Sequence, residues 1–385
     1  MKVSFKSTFL FFLFFNLSFT SNCQKKLLTA AEQFSKYIRF LKNENVGIVA
    51  NKASFVSKNN HIIDSLISLG INIEKVFVPE HGFRISGDAG EKILDQKDPK
   101  TKLPILSLYG DQRKPNERHL QGISLMVFDL QDVGVRFYTY ISTLHYIMEA
   151  CAEKNIPLIV LDRPNPNAHF IDGPVLEKDC KSFVGMHPVP IVYGMTIGEY
   201  ALMINGEGWL RNKIKCQLRV IKIKNYKHNT PFELPQRPSP NLPNAKAIAL
   251  YPSLCLFEPT AISVGRGTEM QFQVFGHPDL PKSKFTFIPV PNFGSKNPKL
   301  KNQLCNGVDL RDIDLTNKIE LKWILESYKN FPKSKSFFKD GFFRIAGTKK
   351  LKSQIELGMN ENEIRKTWEE NLKKFKKTRL KYLIY

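Results

Sequence analysis

The stretch Ser124-Leu-Met-Val-Phe-Asp-Leu-Gln-Asp132 decides how this chain of 385 residues is expected to fold. Its first five residues form a short apolar run that predicts a buried strand. Two carboxylates and an amide follow at Asp129, Gln131 and Asp132, and the residues up to Tyr140 add an arginine and several aromatic rings. A packed core does not need that mixture. The stretch therefore predicts a strand that ends at the wall of a pocket, in preference to a structural corner.

Helix and strand signals alternate around this stretch, from about residue 29 to residue 162. Apolar runs of strand length occupy residues 46–50, 75–78, 104–108 and 157–161. Apolar side chains recur at helical spacing over residues 34–41, 62–67 and 142–154. This βαβ alternation predicts an α/β fold in which a mostly parallel sheet is covered by helices.

Polar residues follow the predicted strands at the point where each strand ends. In parallel sheets of this kind, ligands bind beyond the carboxyl ends of the strands. The candidate residues at these ends are Asn51, Glu80, His81, Tyr109, Asp129, Gln131, Asp132, Asp162, Arg163 and Asn165. Chance could place one or two polar clusters at one sheet edge, but four or five of them predict an active site.

The pair Glu80-His81 is the first candidate for catalysis. Pro79 and Gly82 flank the pair and restrict its backbone. A carboxylate at this position could act as general acid or base if burial raises its pKa. The structural alternative is a glutamate that caps a helix or pairs with Arg84, which is itself a candidate substrate-binding residue.

Three further groups of residues have both a binding interpretation and a structural one. Asp129, Asp132 and Arg136 could form a charge network beside the aromatic ring of Tyr138, which could contact a sugar or belong to the core. The segment from Asp162 to Asn167 could be a rigid binding loop or a proline-stiffened connector. The candidates outside the strand ends are Asn241 in a Pro-Ser-Pro-Asn loop, Glu258, and Arg266 in a Gly-Arg-Gly-Thr turn that could receive an anion or be a plain turn.

The second half of the chain has a different texture. Residues 163–300 are rich in proline and glycine, and a basic, helix-rich region follows. Its apolar side chains recur at helical spacing at Ile364, Trp368, Leu372 and Phe375. We therefore predict a signal segment over residues 1–22, an α/β catalytic domain over 23–245 and a smaller C-terminal α+β domain over 246–385.

The first residues predict export. Lys2 and Lys6 precede a short run of phenylalanine and leucine, and small polar residues lead to Cys23. This order is typical of a bacterial lipoprotein, with Cys23 as the lipidated residue, or of a plain cleaved signal. The expected location is the periplasm or the outer membrane. The remaining five cysteines are widely spaced and predict neither a disulfide framework nor a zinc site.

Composition narrows the function classes. The formal net charge is +21, which indicates a lysine-rich surface or attraction to an anionic polymer such as the cell wall. Nucleic acid is not an expected partner, because no recognised nucleic-acid motif is present. No GxGxxG motif follows the first strand and no Walker A motif occurs, so the sequence supports no nucleotide cofactor, and its histidines lack metal-ligand spacing.

The motifs together resemble the NamZ-type exo-β-N-acetylmuramidases, a family once known only as the DUF1343 domain of unknown function. The matching runs are 46–51, 79–84, 107–110, 128–143, 161–166, 194–196, 238–241, 256–268, 346–348 and 379–385. The resemblance covers essentially everything after the signal segment. One departure is Ile85-Ser86-Gly87, where the family commonly has a glycine directly after the preceding motif.

The resemblance implies a Rossmann-like sheet with helices on both faces, a smaller C-terminal domain and no cofactor. It also implies hydrolysis of terminal N-acetylmuramic acid from the non-reducing end of peptidoglycan fragments, with Glu80 as the catalytic candidate. Such cleavage usually needs two carboxylates. The second one stays open among Asp129, Asp132 and Glu258, as does the stereochemical outcome. The cation for the lactyl carboxylate would come from Arg136, Arg163 or Arg266. The alternatives are a cell-wall-binding lipoprotein without activity and a metal-dependent hydrolase; the oligomeric state is left open.

Overall fold

The computed structural model describes residues 26–57, 59–80, 82–83 and 95–385. The predictions for the signal segment, Cys23, His81 and Arg84 lie outside the described residues. The strands are β1 (Val46–Ala50), β2 (Ile73–Val78), β3 (Gln96–Lys97), β4 (Pro104–Ser107), β5 (Leu125–Asp129), β6 (Leu158–Leu161), β7 (Leu218–Ile221), β8 (Val274–His277), β9 (Thr286–Phe287) and β10 (Cys305–Asp309).

The helices within the same residues alternate with these strands and then follow them. They are α1 (Phe34–Leu41), α2 (Ile62–Ser68), α3 (Glu117–Leu120), α4 (Tyr140–Glu153), α5 (Ile197–Gly206), α6 (Ala245–Leu254), α7 (Lys322–Asn330), α8 (Phe342–Ala346), α9 (Lys350–Glu356), α10 (Glu361–Lys366) and α11 (Glu369–Leu380). Short 3₁₀ turns occupy Lys178–Cys180, Arg211–Lys213 and Cys255–Phe257.

The larger sheet has seven strands in the order β3-β4-β2-β1-β5-β6-β7. All neighbouring pairs are parallel except β3 with β4, which is antiparallel and lies at the edge. The prediction of a mostly parallel sheet is confirmed. From β1 the chain moves to β2 and β4 on one side, then returns to β5 on the other side of β1. The strand order therefore reverses between β1 and β5, and a crevice is expected at their carboxyl ends.

Helices cover both faces of this sheet, as the family resemblance implied. Side chains alternate along each strand, so Ile48 and Val49 point to opposite faces. Ile48 packs with the apolar side chains of α1 and α2. Val49 packs with those of α4 and α5. The short apolar runs read from the sequence are thus buried on both sides, which is why they lack the alternating polar residues of a half-exposed strand.

A smaller second unit carries a three-stranded antiparallel sheet, in the order β8-β10-β9, and the helices α7 to α11. One apolar cluster runs from the large sheet into this unit and includes Phe128, Tyr251 and Trp323. The two units therefore share a core and are not joined by a flexible linker alone. The helical spacing from Ile364 to Phe375 spans two helices, because Trp368 is the N-cap of α11 rather than the middle of one helix.

The five cysteines of the described residues are free and buried. No helix in that part of the chain is long and apolar enough to cross a membrane.

Candidate active site

The crevice between β1 and β5 is built by residues that follow these strands directly. Asn51 comes immediately after β1, and Asp129 is the last residue of β5 and pairs with Ala50 in the sheet. The Asn51 side-chain amide donates to the hydroxyl of Tyr140 over 2.8 Å. Its side-chain oxygen accepts from the Ala53 amide over 3.0 Å. Asn51 thereby fixes the turn after β1 and the first residue of α4 against each other.

Two tyrosines close the back of the crevice. The rings of Tyr138 and Tyr140 meet edge to face, with centroids 4.7 Å apart. The Tyr138 hydroxyl donates to the Pro238 carbonyl over 2.7 Å. Burial, first, and then the neighbouring carboxylate of Glu80 raise the pKa of the Tyr140 phenol. These contacts join the residues after β5 to the Pro-Ser-Pro-Asn loop, which lies about a hundred residues later in the chain.

Glu80 follows β2 and is half-buried beside this tyrosine pair. Its carboxylate forms a hydrogen bond with the hydroxyl of Tyr109, which follows β4. Burial and then the charge and hydrogen bond of Glu80 raise the pKa of Tyr109 to about 12. Because β2 lies next to both β1 and β4, the ends of three adjacent strands bring together Asn51, Glu80 and Tyr109. This grouping follows the prediction made from the strand ends.

A cavity of about 180 Å³ opens beside these residues. Its described lining comes from the turn after β1, the Gly82 turn, the loop before α6 and one residue of the second unit: Asn51, Lys52, Ala53, Gly82, Gln236, Arg237, Pro238, Ser239, Pro240 and Phe293. Glu80 is not itself among them, but it is two residues from Gly82 and interacts with Tyr140, which binds Asn51. The described lining contains two cationic side chains and no carboxylate.

Asp129 and Arg163 form a buried ion pair below the crevice. Arg163 donates from Nε to one carboxylate oxygen over 2.6 Å and from Nη2 to the other over 2.8 Å. Arg163 also donates to the Phe55 carbonyl over 3.2 Å. Both carboxylate oxygens of Asp129 are thus occupied, and neither residue lines the described cavity. This geometry favours a structural role over the predicted catalytic and substrate-binding ones.

Asp132 lies behind the tyrosine pair in a fully buried position. It accepts hydrogen bonds from the Tyr193 hydroxyl and, over 2.8 Å, from the Gly134 amide. Burial raises the pKa of Asp132 to about 6, against the lowering effect of these hydrogen bonds. Its Oδ1 atom has no hydrogen-bond partner in the described part of the chain. Asp132 is placed to influence Tyr138 and Tyr140 electrostatically, not to touch a ligand in the cavity.

Gln131 and Asn165 hold the loops after β5 and β6 together. The Gln131 amide donates to the carbonyls of Asp132 and Pro164, and the Asn165 amide donates to the Met195 carbonyl over 2.7 Å. Gly134 has a φ of +75°, and a Cβ there would lie 2.2 Å from the Asn165 side chain. The segment read as a rigid binding loop is therefore a packed connection between strand ends.

Asp162, at the end of β6, receives the C-terminal residue of the chain. Its Oδ2 atom accepts from the hydroxyls of Tyr385 over 2.6 Å and Thr196 over 2.7 Å, and its Oδ1 atom accepts from the Gly198 amide over 2.8 Å. Burial raises the pKa of Asp162 to about 7. The C-terminal tail and the start of α5 cover this strand end. Asp162 was predicted to belong to the active site, but it is enclosed by these segments.

Arg136 is a tie between the two units of the molecule. It is fully buried, and its guanidinium donates to the carbonyls of Pro174 and Val189 on one side and of Ile345 and Ala346 on the other. Gly347 has a φ of +80°, and a Cβ there would lie 2.2 Å from the Arg136 guanidinium. A buried arginine with four carbonyl partners does not fit the prediction that it binds a substrate carboxylate.

The remaining candidates lie in or beside the second unit. Arg266 donates to Glu258 over 3.1 Å, and its guanidinium stacks over Phe272. Burial opposes ionisation of Glu258, but Arg266 and then Lys299 bring the pKa of Glu258 below its usual value. The Asn241 amide donates to the Gly294 carbonyl over 2.8 Å and so positions the loop that carries Phe293. Glu258 and Arg266 satisfy each other, whereas Asn241 supports the cavity wall.

Sequence reasoning missed Lys52, Arg237 and Phe293, which line the cavity. Lys52 directly follows the predicted Asn51, and Arg237 directly precedes the Pro-Ser-Pro-Asn motif. Their position next to predicted site residues was the sequence feature that could have identified them. Phe293 is 56% exposed, and no pattern in the sequence marks it. In the described residues, no group of three His, Cys, Asp or Glu side chains is placed to hold a metal ion.

Comparisons with known proteins cover most of the chain. A family model for the N-terminal part of exo-β-N-acetylmuramidase NamZ matches residues 46–246, and a model for its C-terminal part matches residues 249–385. The peptidoglycan β-N-acetylmuramidase NamZ of Bacillus subtilis (strain 168) is 37% identical over 371 residues, which covers 91% of this chain and 89% of that protein.

Two crystal structures of DUF1343 family proteins from Bacteroides fragilis are similar over nearly the full length. One superposes with a TM-score of 0.87 at 42% identity and covers 94% of this chain and 99% of its own. The other has a TM-score of 0.80 at 27% identity and covers 93% of this chain and 99% of its own.

Proposed function

Since this chain belongs to the NamZ family of exo-β-N-acetylmuramidases, as its motifs predicted, we propose that it removes terminal β-linked N-acetylmuramic acid from the non-reducing end of peptidoglycan fragments. The protein is a glycosidase in this proposal, and muropeptides or disaccharides derived from peptidoglycan are its substrates. The expected role is turnover of the bacterial cell wall.

The observation that carries the catalytic part of the proposal is the position of Glu80. It is half-buried beside the crevice where the strand order reverses, and it bonds to Tyr109. Asp129 and Glu258 are engaged with arginines, and Asp132 is enclosed behind the tyrosine pair. Glu80 is therefore the described candidate carboxylate best placed to protonate the departing glycosidic oxygen. Asp132 would act as a positioning residue through the two tyrosines.

The lactyl carboxylate of muramic acid would be recognised by Lys52 and Arg237. Both are exposed side chains on the walls of a cavity whose described lining has no carboxylate. The three arginines named from the sequence are each committed to an internal partner: Arg136 to carbonyls, Arg163 to Asp129 and Arg266 to Glu258. Charge complementarity at the cavity mouth would select muramic acid over N-acetylglucosamine, which lacks the carboxylate.

The direct test compares a chromogenic β-N-acetylmuraminide with the matching N-acetylglucosaminide. We expect release of the chromophore from the muraminide alone. A double variant, Lys52→Met with Arg237→Met, should lose roughly 10- to 100-fold in kcat/KM, the size expected for hydrogen bonds to a charged group. The matched control is Lys282→Met, in the second unit. A muraminide with its lactyl group amidated should be cleaved poorly by the wild type and should no longer distinguish wild type from the double variant.

Two results would overturn this assignment. Cleavage of neither glycoside by folded protein would favour a cell-wall-binding protein without activity or a need for a longer substrate. Inhibition by a chelator would favour a metal-dependent hydrolase.

We also propose that the protein is exported and anchored by a lipid at Cys23, in the periplasm or at the outer membrane. The support is the order of a basic start, a short apolar run and a cysteine. Metabolic labelling with a fatty-acid analogue should mark the wild type and leave Cys23→Ser unmarked. Equal labelling of both, or of neither, would contradict the anchor.

A further inference from the structure

A basic groove lies on the side of the sheet opposite to β3, between α1 and the edge strand β7. It has a volume of about 780 Å³. Its described lining includes five cationic side chains: Lys36, Arg39, Arg219, Lys222 and Lys224. All five are exposed. One acidic residue, Glu32, is also present in that lining. Five of fourteen lining residues are thus Lys or Arg, against 57 of 385 in the chain, so the groove is enriched beyond the general basic character of the protein.

The groove has a net positive charge that its own residues do little to neutralise. The Glu32 carboxylate accepts from the Thr29 amide over 2.7 Å and from the Thr29 hydroxyl over 2.9 Å. It is therefore hydrogen-bonded within its own turn and not to the lysines and arginines of the groove. The guanidiniums of Arg39 and Arg219 lie over the ring of Phe40, at 4.8 and 4.1 Å from its centroid. Stacking on one ring holds two arginines close together, and neither forms an ion pair with a described residue.

Protection of the sheet edge does not account for this arrangement. Charged residues on an edge strand prevent pairing with other strands, and Arg219 on β7 could serve that purpose. Lys36 and Arg39, however, lie on α1, and Lys224 lies beyond the end of β7. Cations from two separate segments, α1 and residues 219–224, converge on one open surface, which indicates an anionic ligand of some extent.

The start of the described chain lies at the rim of the same groove. Leu28 pairs with Lys224, and the Asn225 side chain donates to the Lys26 carbonyl over 2.9 Å. Cys23 is three residues before Lys26, so the length of the chain places it within roughly 10 Å of this rim. We propose that the basic groove docks onto the anionic phospholipid headgroups of a membrane surface. The proposal rests on the lipid anchor proposed above, which would hold this face toward the bilayer.

The groove is separate from the candidate active site. The two linings share no described residue. β7 is three strand positions away from β1, about 14 Å across the sheet. A molecule docked by this face would therefore leave the crevice at the carboxyl ends of β1 and β5 accessible to soluble fragments. The negative charge of headgroup phosphates is opposite to that of the groove's side chains. Lysines and arginines near an anionic bilayer each add to the attraction.

The test uses the mature chain from residue 24 and vesicles of phosphatidylcholine with and without phosphatidylglycerol, in a sedimentation assay without substrate. The wild type should bind the anionic vesicles and bind poorly to the neutral ones. Neutralising Lys36, Lys222 and Lys224 to Gln should weaken binding about fivefold per residue, or about a hundredfold together. The matched control is the triple change of Lys282, Lys284 and Lys301 to Gln. It removes the same charge from the second unit and should weaken binding far less.

Three outcomes would contradict the proposal. Equal losses in the two triple variants would reduce the effect to net charge. Equal binding to both kinds of vesicle would exclude headgroup charge as the ligand. Soluble peptidoglycan fragments that displace the wild type from anionic vesicles, and that bind the wild type but not the groove variant, would make the wall polymer the ligand. Retained muraminide cleavage, or an unchanged melting curve if the chain cleaves no muraminide, would show that the groove variant is folded.

Discussion

The ends of β2 and β6 carry the same kind of sequence signal and serve different purposes. After β2, Glu80 stays half-buried and bonds to Tyr109 at the edge of a cavity. At the end of β6, Asp162 is fully buried and accepts hydrogen bonds from Tyr385 and Thr196. Both are acidic residues at the carboxyl edge of one parallel sheet. The difference is that later parts of the chain cover the β6 end and leave the crevice between β1 and β5 open.

A carboxylate at a strand end is therefore available for chemistry only if no other part of the chain satisfies it. The β6 end is closed by α5 and by the C-terminal tail, both of which are remote from it in sequence. The crevice is bordered instead by a proline-rich loop that lines the cavity with residues 236–240, of which Arg237 is exposed.

The largest effect is expected at the open end. Glu80→Gln should lower kcat for a muraminide by roughly 10³- to 10⁴-fold, because the general acid is lost. The free energy of unfolding should stay within about 0.5 kcal/mol of the wild type, because glutamine keeps the size of this half-buried side chain and adds no buried charge. The matched control is Glu74→Gln, near the amino end of β2, the strand that Glu80 follows, and should retain activity. Retained turnover in Glu80→Gln would remove this residue from the catalytic role.

Breaking the buried ion pair should affect folding instead of chemistry. Arg163→Met leaves the Asp129 carboxylate buried without a partner, and we expect the free energy of unfolding to fall by about 3–5 kcal/mol in denaturant titrations. The double variant with Asp129→Leu should regain much of that loss, because the unpaired charge is gone. A stable single variant with a raised KM would instead make Arg163 a substrate-binding residue.

The covered end should make folding stability depend on pH. Burial raises the pKa of Asp162 from 3.8 to about 7, so the folded state holds a proton that the unfolded state releases between these values. This contribution to stability is complete below pH 3.8 and is lost as the pH rises through about 7. The loss is on the order of 4 kcal/mol at about 1.4 kcal/mol per pKa unit. Asp162→Asn should flatten the unfolding free energy measured from pH 4 to pH 8, and an unchanged slope would assign the dependence to other groups.

Removing the hydroxyl of the last residue should loosen the same end. Tyr385 donates to Asp162 over 2.6 Å and accepts from the Ile223 amide over 2.8 Å. Tyr385→Phe should therefore lower the free energy of unfolding by about 2 kcal/mol, with kcat unchanged. Tyr382→Phe, which loses a bond to Glu207 on the surface, is the matched control. A fall in kcat without loss of stability would link the tail to catalysis.

The smallest effect is expected where a tyrosine supports the open end. Tyr109→Phe removes the hydroxyl bonded to Glu80, and we expect a fall in kcat of about tenfold, the value of one hydrogen bond to a charged group. Tyr146→Phe, on the surface of α4, is the control and should behave like the wild type. If both variants keep full activity, the hydroxyl of Tyr109 does not position Glu80.

Much of the fold follows from local patterns in the sequence. The β1 run from Val46 to Ala50 has the predicted bounds, and α4 begins only two residues before its predicted start at Ser142. Such elements are readable because a strand buried on both faces must be continuously apolar, and a helix must repeat its apolar side chains every three to four residues. The positions of Asn51, Glu80 and Tyr109 at one edge also followed, because parallel strands place their carboxyl ends together.

The tertiary structure alone decided which polar residues are accessible. Arg136, Asp129 and Asp162 carry the same chemical groups as a binding site, yet carbonyls, Arg163 and Tyr385 satisfy them. These partners lie from about 34 to more than 200 residues away along the chain, and no local pattern reveals such a contact. The sequence by itself determined which strand ends carry polar side chains. Packing between distant segments determined which of those side chains meet solvent, because burial and hydrogen bonding depend on neighbours in space and not in sequence.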